Sequence, residues 1–185
     1  MALIKTIRGK TPVFGKDCYL AETATVIGDV IMGDHCSVWF NALVRGDVHY
    51  IRIGNRVNIQ DGAVIHCTFE TAPTTIGNNV SIAHKAIVHG CTIMDNVLIG
   101  MNAVVMDNAV IGENSIIAAG AVVLENTVVP PGSVYAGIPA KWIRAVNQQH
   151  TRELLDRISN GTPRTGPVEL KTTLRIRGTT APPRH

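Results

Sequence analysis

Read in sixes, the chain repeats an apolar residue at a fixed place. Residues 20, 26, 32, 38 and 44 are Leu, Val, Met, Val and Val, and those four places later, at 24, 30, 36, 42 and 48, are Ala, Val, Cys, Ala and Val. The phase resumes at Ile53, Ile59 and Ile65 and again at Ile76, Ile82 and Val88. After a slip of one residue it continues through Ile93, Ile99, Val105, Ile111, Ile117, Val123 and Val129. Over this last run the fourth-following residues are Val97, Ala103, Ala109, Ser115, Ala121, Thr127 and Ser133, all small or β-branched. Such a hexad predicts a short strand and a corner, with the aliphatic residue pointing inward and the small one packed where the chain bends. Gly, Asn and Asp near the corners, as in IGD at 27 and IGN at 53 and 76, tolerate left-handed backbone angles. Three hexads close a triangular coil, and coils stacked at about 4.8 Å make an all-β solenoid, a parallel β-helix. Residues 10 to 137 have room for about seven coils. The flat strand faces of such a prism make oligomerisation a natural way to cover them.

Composition agrees with stacked strands. Val and Ile are abundant, aromatic residues are 4% of the chain and charged residues 17%, far from the make-up of a disordered chain. The solenoid is predicted over residues 1–140. The segment 141–160 reads as helical, with Leu154, Leu155 and Ile158 on one side and Asn160 and Gly161 as the stop, and it is expected to pack on the prism. Residues 161–185, rich in Pro, Gly and Thr, are expected to form a tail with little fixed structure. The opening MALIKTIRGKTP holds no apolar run suited to a signal peptide, and no stretch approaches about 18 apolar residues, so the expectation is a cytoplasmic protein without membrane contact.

The net charge of +3 divides unevenly: residues 1–140 hold 8 Lys and Arg against 11 Asp and Glu, and 141–185 hold 9 against 3. The basic tail lacks aromatic interleaving and any recognised binding motif, which argues against nucleic acid as a partner. The four cysteines, Cys18, Cys36, Cys67 and Cys91, form no CxxC pair, which disfavours a zinc ribbon or a thioredoxin-type site. Cys18 and Cys36 hold the same hexad place one coil apart and should stack at a corner.

Three of the seven histidines, His66, His84 and His89, fall within 24 residues, the last two in SIAHKAIVHG. Counting hexads with the loop CTFETAP as the middle step places His84 above His66 on one prism face and His89 on the next. A single straight face then cannot present all three to one point, and a neighbouring subunit would supply the third. Three imidazoles suit a catalytic zinc, which keeps a fourth position for water. Any one of them read alone is an outward polar strand residue; the three together, beside a polar run, point to a metal. That run, NALVRGDVHYIRIGNRVNIQDGAVIH, carries Arg45, Asp47, Gln60 and Asp61. An ion pair from Arg45 to a carboxylate, across coils or across a subunit contact, is worth about 1 kcal/mol if exposed. Such a pair would build the interface in which the metal sits.

The [LIV]-G-x-x-small-x hexads resemble those of left-handed parallel β-helix proteins. RGD at 45, NIQD with His66 five residues beyond Asp61, and AHKAIVHG together resemble the γ-class carbonic anhydrase family of trimeric left-handed β-helices, over about residues 10–145 and through the closing YAGIPAK. The resemblance implies a homotrimer with Zn2+, or else Fe2+ or Co2+, at each subunit interface. His66 and His89 of one chain and His84 of its neighbour would be the ligands. It further implies that Gln60 hydrogen-bonds the metal-bound water, that Arg45 and Asp61 pair between subunits, and that Asp47 supports them. The activity implied is that of a lyase, reversible hydration of CO2 to bicarbonate by metal-bound hydroxide. A fast hydratase must export a proton. Val48 stands where the family prototype has a glutamate, so Glu70, the one carboxylate of the CTFETAP loop, becomes the candidate shuttle. No tyrosine follows Tyr135, which reads as the inward residue of the last hexad. Two rival functions fit the hexads: an acyltransferase with one histidine as general base, and a non-catalytic trimeric subunit that uses metal for assembly.

Overall fold

The computed structural model describes residues 1–147. They form a parallel β-helix of three faces, each built from strands of two or three residues separated by corners. The inward hexad positions close the core: Val26, Val38, Val44, Ile59, Ile65, Ile82, Val88, Ile99, Ile111 and Ile117 are fully buried, as are the corner residues Ala24, Val97, Ala103, Ala109 and Ala121. Tyr135 stacks on Ile117 at the C-terminal end, partly buried against the core.

One face carries the strands Tyr19–Leu20, Ser37–Val38, Asn58–Ile59, Ser81–Ile82, Leu98–Ile99, Ile116–Ile117 and Ser133–Ala136, one from each of seven coils. A second face runs through Val64–His66, Ile87–His89, Val104–Val105 and Val122–Val123, and a third through Thr74–Ile76, Thr92–Ile93, Val110–Ile111 and Val128–Val129. Two long strands, Thr25–Met32 and Leu43–Ile53, turn the corner between these two faces and join them into one sheet. In the second of these the hexad count slips. Val48 sits in the extra residues between Gly46 and Ile51, and Ile51 takes the buried place.

The corners are held by side-chain ladders. Residues Asn79, Asn96 and Asn114 share the left-handed region, with φ of 55°, 59° and 58°. The amide of Asn79 donates to Asn96 Oδ1 at 3.0 Å, and that of Asn96 to Asn114 Oδ1 at 3.2 Å. Beside them, the backbone N–H groups of Asp34, Asn55 and Asn78 donate to the side-chain oxygens of Asn55, Asn78 and Asp95 in turn. This column of corners thus ties coil to coil through Asn and Asp side chains, residues suited to tight turns. Cys18 and Cys36 stack as expected, each donating its thiol to a glycine carbonyl of the following coil at 3.2 Å, and all four cysteines are free. Burial pushes the Cys36 thiol up to about 11.

The predicted helix does not begin at 141. Lys141–Ala145 is a strand, antiparallel to Ser133–Ala136 and exposed along its length. The last coil leaves an open sheet edge, and a segment carrying Trp142 and Ile143 satisfies that edge's backbone groups better as a strand than as an isolated helical turn. The remainder of the predicted helix, and the tail 161–185, lie outside the described residues.

The ladder predicts the outcome of changing Asn96. Asn96→Gly keeps the backbone conformation and loses two amide hydrogen bonds, about 1 kcal/mol in all. Asn96→Ala adds the left-handed penalty and should cost about 2 kcal/mol. Urea unfolding should therefore order the midpoints wild type, glycine variant, alanine variant; equal midpoints for the two variants would remove backbone conformation from the explanation.

Candidate metal centre

The corner between the second and third faces is where the chain carries its extra residues. The 46–50 segment and the 67–73 loop both bulge there, and both bring polar groups over the strand ends. Val64–His66 and Ile87–His89 lie side by side with His66 and His89 as register partners, which sets their rings 5.0 Å apart. His66 Nδ1 and His89 Nε2 face each other at 3.0 Å. The other nitrogen of each ring is taken by a carboxylate: His66 Nε2 lies 3.0 Å from Asp47 Oδ1, and His89 Nδ1 2.6 Å from Asp107 Oδ1. Arg45 Nη1 donates to Asp47 Oδ2, and Thr68 Oγ1 donates to Asp107 Oδ2, both at 2.5 Å.

Charge follows from these partners. Burial alone would raise both carboxyls, but hydrogen bonds from His66 and Arg45 hold Asp47 below its usual range, and those from Thr68 and His89 do the same for Asp107. Burial lowers the His66 pKa; the Arg45 charge adds to that, and the bond to Asp47 only partly offsets it. Each carboxylate thus stands against one ring nitrogen of its histidine. Where each acid accepts a ring N–H, the facing nitrogens, His66 Nδ1 and His89 Nε2, are the ones left to present lone pairs. Two lone pairs aimed at each other across 3.0 Å need a cation or a proton between them. Adjacent ligands on a tetrahedral zinc, at 2.0–2.1 Å from the ion, stand about 3.4 Å apart, so the pair needs to open by only a few tenths of an ångström. Imidazole donors backed by carboxylates are the arrangement that orients histidine ligands on a metal. The residues present fit a divalent cation.

His84 lies elsewhere. It occupies the turn that leads into the second face, before Ile87–His89, whereas His89 ends that strand, so the two lie at opposite edges of the face. This revises the hexad count, which put His84 over His66 and His89 on the next face. The five extra residues of the 67–73 loop lengthen that coil, so the residue stacked on His66 is 23 positions on, His89, and not 18 on. Among the described residues of one chain, no group of three or more His, Cys, Asp or Glu can hold a metal. His84 is half-exposed and has its own carboxylate, with Nδ1 3.0 Å from Asp61 Oδ2, which leaves Nε2 for a further partner. Within the chain, therefore, Arg45 is taken by Asp47 and Asp61 by His84.

Gln60 belongs to the His84 corner. Together with Asn58, Ser81, Ala83, His84 and Met101 it lines a shallow groove of about 420 Å³ on the first face. Glu70 stands exposed in the 67–73 loop at φ 53°, beside the Thr68–Ala72 bridge that folds the loop back. Asp107 and Thr68 escaped the sequence reading, although Asp107 stands 18 residues, one coil, beyond His89.

The second face connects the two corners, and its outward column is apolar over most of its height. Leu3, Thr25, Leu43, Val64, Ile87, Val104 and Val122 are successive register partners, and Leu3 and Ile87 are exposed at 55% and 39%. A stripe of this length facing water marks a contact surface.

Residues 90–125 match the family described as bacterial transferase hexapeptide (six repeats). The chain is 53% identical over 142 residues to the "Probable carbonic anhydrase" of Methanocaldococcus jannaschii, covering 77% of this chain and 89% of that one. It is 51% identical over 145 residues to the Arabidopsis thaliana "Gamma carbonic anhydrase 3, mitochondrial", covering 76% of this chain and 56% of that longer protein. Among solved structures, a hexapeptide transferase family protein from Anaplasma phagocytophilum superposes with a TM-score of 0.81 at 35% identity, over 85% of this chain and 93% of that one. With two carboxylate-backed histidines stacked at a solenoid corner and relatives of this similarity along most of its length, the chain belongs to the γ-class carbonic anhydrase-like family of hexapeptide-repeat proteins.

Proposed function

We propose that this protein is a homotrimeric, metal-dependent hydratase that interconverts CO2 and bicarbonate, with each metal held by His66 and His89 of one subunit and His84 of the next. The observation that carries the reading is the pair of ring nitrogens of His66 and His89 that face each other at 3.0 Å, each ring fixed from behind by a carboxylate. The position of His84 supports the assembly. The two half-sites lie at opposite edges of the same face, so completing a three-histidine site needs one edge of a subunit to meet the opposite edge of its neighbour. Repeated head to tail about an axis along the prism, such a contact closes into a ring. The apolar column between the edges would be the surface the ring covers. Relatives named carbonic anhydrases favour that chemistry over acyl transfer, and the metal of this reading is zinc, with iron or cobalt as substitutes.

His66 and His89, with His84 of a neighbouring subunit, would hold a divalent cation, whose chemistry would be to supply hydroxide near neutral pH by lowering the pKa of a water from 15.7 to about 7. The chain's own residues do the rest. Histidine ligands would bring no negative charge to the ion, and Asp47, Asp107 and Asp61, against the far ring nitrogens, fix the orientation of each ring. Gln60, beside His84, presents an amide that would orient the attacking water and the incoming CO2. Asp47 carries the Arg45 ion pair, which keeps it an acceptor toward His66. Glu70, exposed in the loop over this corner, is the group placed to pass a proton to bulk solvent.

His84→Ala should lose its metal and fall to smaller species by analytical ultracentrifugation, whereas His35→Ala should change neither; full metal in His84→Ala would rule out the shared ligand set. Gln60→Ala should keep its metal and lose about tenfold or more in kcat for CO2 hydration. The hydratase reading itself is tested by stopped-flow CO2 hydration of protein loaded with zinc or, anaerobically, with iron: a rate no higher than buffer in both forms would leave the metal a role in assembly alone.

A further inference from the structure

Two polar groups at this corner touch no ligand atom of the proposed centre directly, yet they bridge it to the loop. Asp107 sits one coil beyond His89, and its two oxygens point in different directions. Oδ1 accepts from His89 Nδ1 at 2.6 Å, and Oδ2 accepts from Thr68 Oγ1 at 2.5 Å. Thr68 lies in the 67–73 loop, two residues after His66, and its backbone closes the loop through Ala72. The corner is shaped around this carboxylate: Gly90 follows His89 at φ 53°, and a Cβ there would lie 2.4 Å from Asp107 Oδ1. A residue with a side chain at 90 would displace the acid, and an acid displaced from His89 would free the ring to turn.

We infer that Thr68 and Asp107 act as paired positioning residues, a relay that fixes the donor nitrogen of His89 and makes the conformation of the 67–73 loop part of the metal grip. This rests on the reading of His89 as a ligand. In the relay, Thr68 orients the carboxylate and the carboxylate orients the ring; neither meets the substrate. Loop and ligand then move together, so a change at Thr68 is felt at the metal through two hydrogen bonds and not through any contact of its own. The bond at His89 dominates because it fixes both ring orientation and tautomer, whereas Thr68 holds only the second oxygen of a carboxylate that the corner already confines.

The test is the zinc affinity and dissociation rate of the full-length protein, measured by competition with a chromophoric chelator. Asp107→Ala should weaken zinc roughly 10–100-fold. Asp107→Asn, which keeps an acceptor for the His89 N–H, should fall between it and wild type. Thr68→Val should cost roughly 3–10-fold and Thr68→Ser nothing. In the Asp107→Ala background, Thr68→Val should have no further effect, a coupling that a purely structural role for either residue would not produce. Metal-free melting temperatures of the variants serve as the control for folding. Full additivity of the two changes, or unchanged zinc affinity in both Asp107 variants, overturns the relay. If His89→Ala loses zinc while the Asp107 variants keep it, the relay alone fails; if His89→Ala binds zinc as wild type does, the ligand reading fails and takes the relay with it.

Discussion

Everything in this molecule is subordinate to the register between coils. Each coil must set an aliphatic side chain over the one before it at strand spacing, because the interior is a single narrow column with no room for a second layer. Ile59, Ile82, Ile99 and Ile117 are such a column, each fully buried and joined to the next by parallel pairing of its own strand. A residue added to a strand would turn the whole of that strand inside out. Added residues are therefore tolerated only at corners, where they bulge outward without disturbing the stack. The two bulges here, at 46–50 and 67–73, meet on the same corner, and that corner carries Asp47, His66, Thr68 and His89. The same rule that forbids polar groups in the column collects them at one edge of the prism.

The electrostatics of that edge depend on burial and pairing acting against each other. A carboxylate half-withdrawn from water costs free energy unless donors surround it. Asp47 and Asp107 each have two, one of them a histidine. Satisfying the acids commits one nitrogen of each ring and exposes the other as a lone pair, so a corner that meets the chain's need to pair its acids becomes a place where a cation is stabilised. Arg45 keeps this arrangement from becoming a proton trap: its charge, together with burial, disfavours protonation of His66.

The solenoid was legible in the sequence to the level of individual buried residues, since a period of six is repeated often enough to override any single exception. The exceptions are where reading failed, and they share a cause. Nothing in a periodic pattern says whether an insertion lies within a coil or replaces part of one. The hexad count alone thus stacks His84 on His66, whereas the extra loop residues make it His89. Val48 looked like one more small corner residue because the pattern ran through RGDVHY without a break, and only the pairing of Val30 with Ile51 reveals the bulge. Asp107 was hidden for the opposite reason: it lies in perfect phase within MDN, and Asn or Asp at a corner has a sufficient structural explanation. The strand at Lys141–Ala145 could not be read from local propensity, because what makes it a strand is the open edge left by the last coil.

Assembly and chemistry are, on the proposed reading, consequences of one another. A prism with two polar corners flanking an apolar face completes its three-histidine site only where His84 and Asp61 of one copy come to the opposite corner of another. A head-to-tail contact brings that imidazole to a pair of imidazoles whose ring nitrogens face each other at 3.0 Å. An ion held between them then also links the subunits, so metal and neighbour stabilise the same state and each raises the apparent affinity of the other. Such a site has no need of a preformed three-ligand cage within one chain. It needs two half-sites held rigidly at fixed heights on the prism, and rigid heights are what coil register supplies.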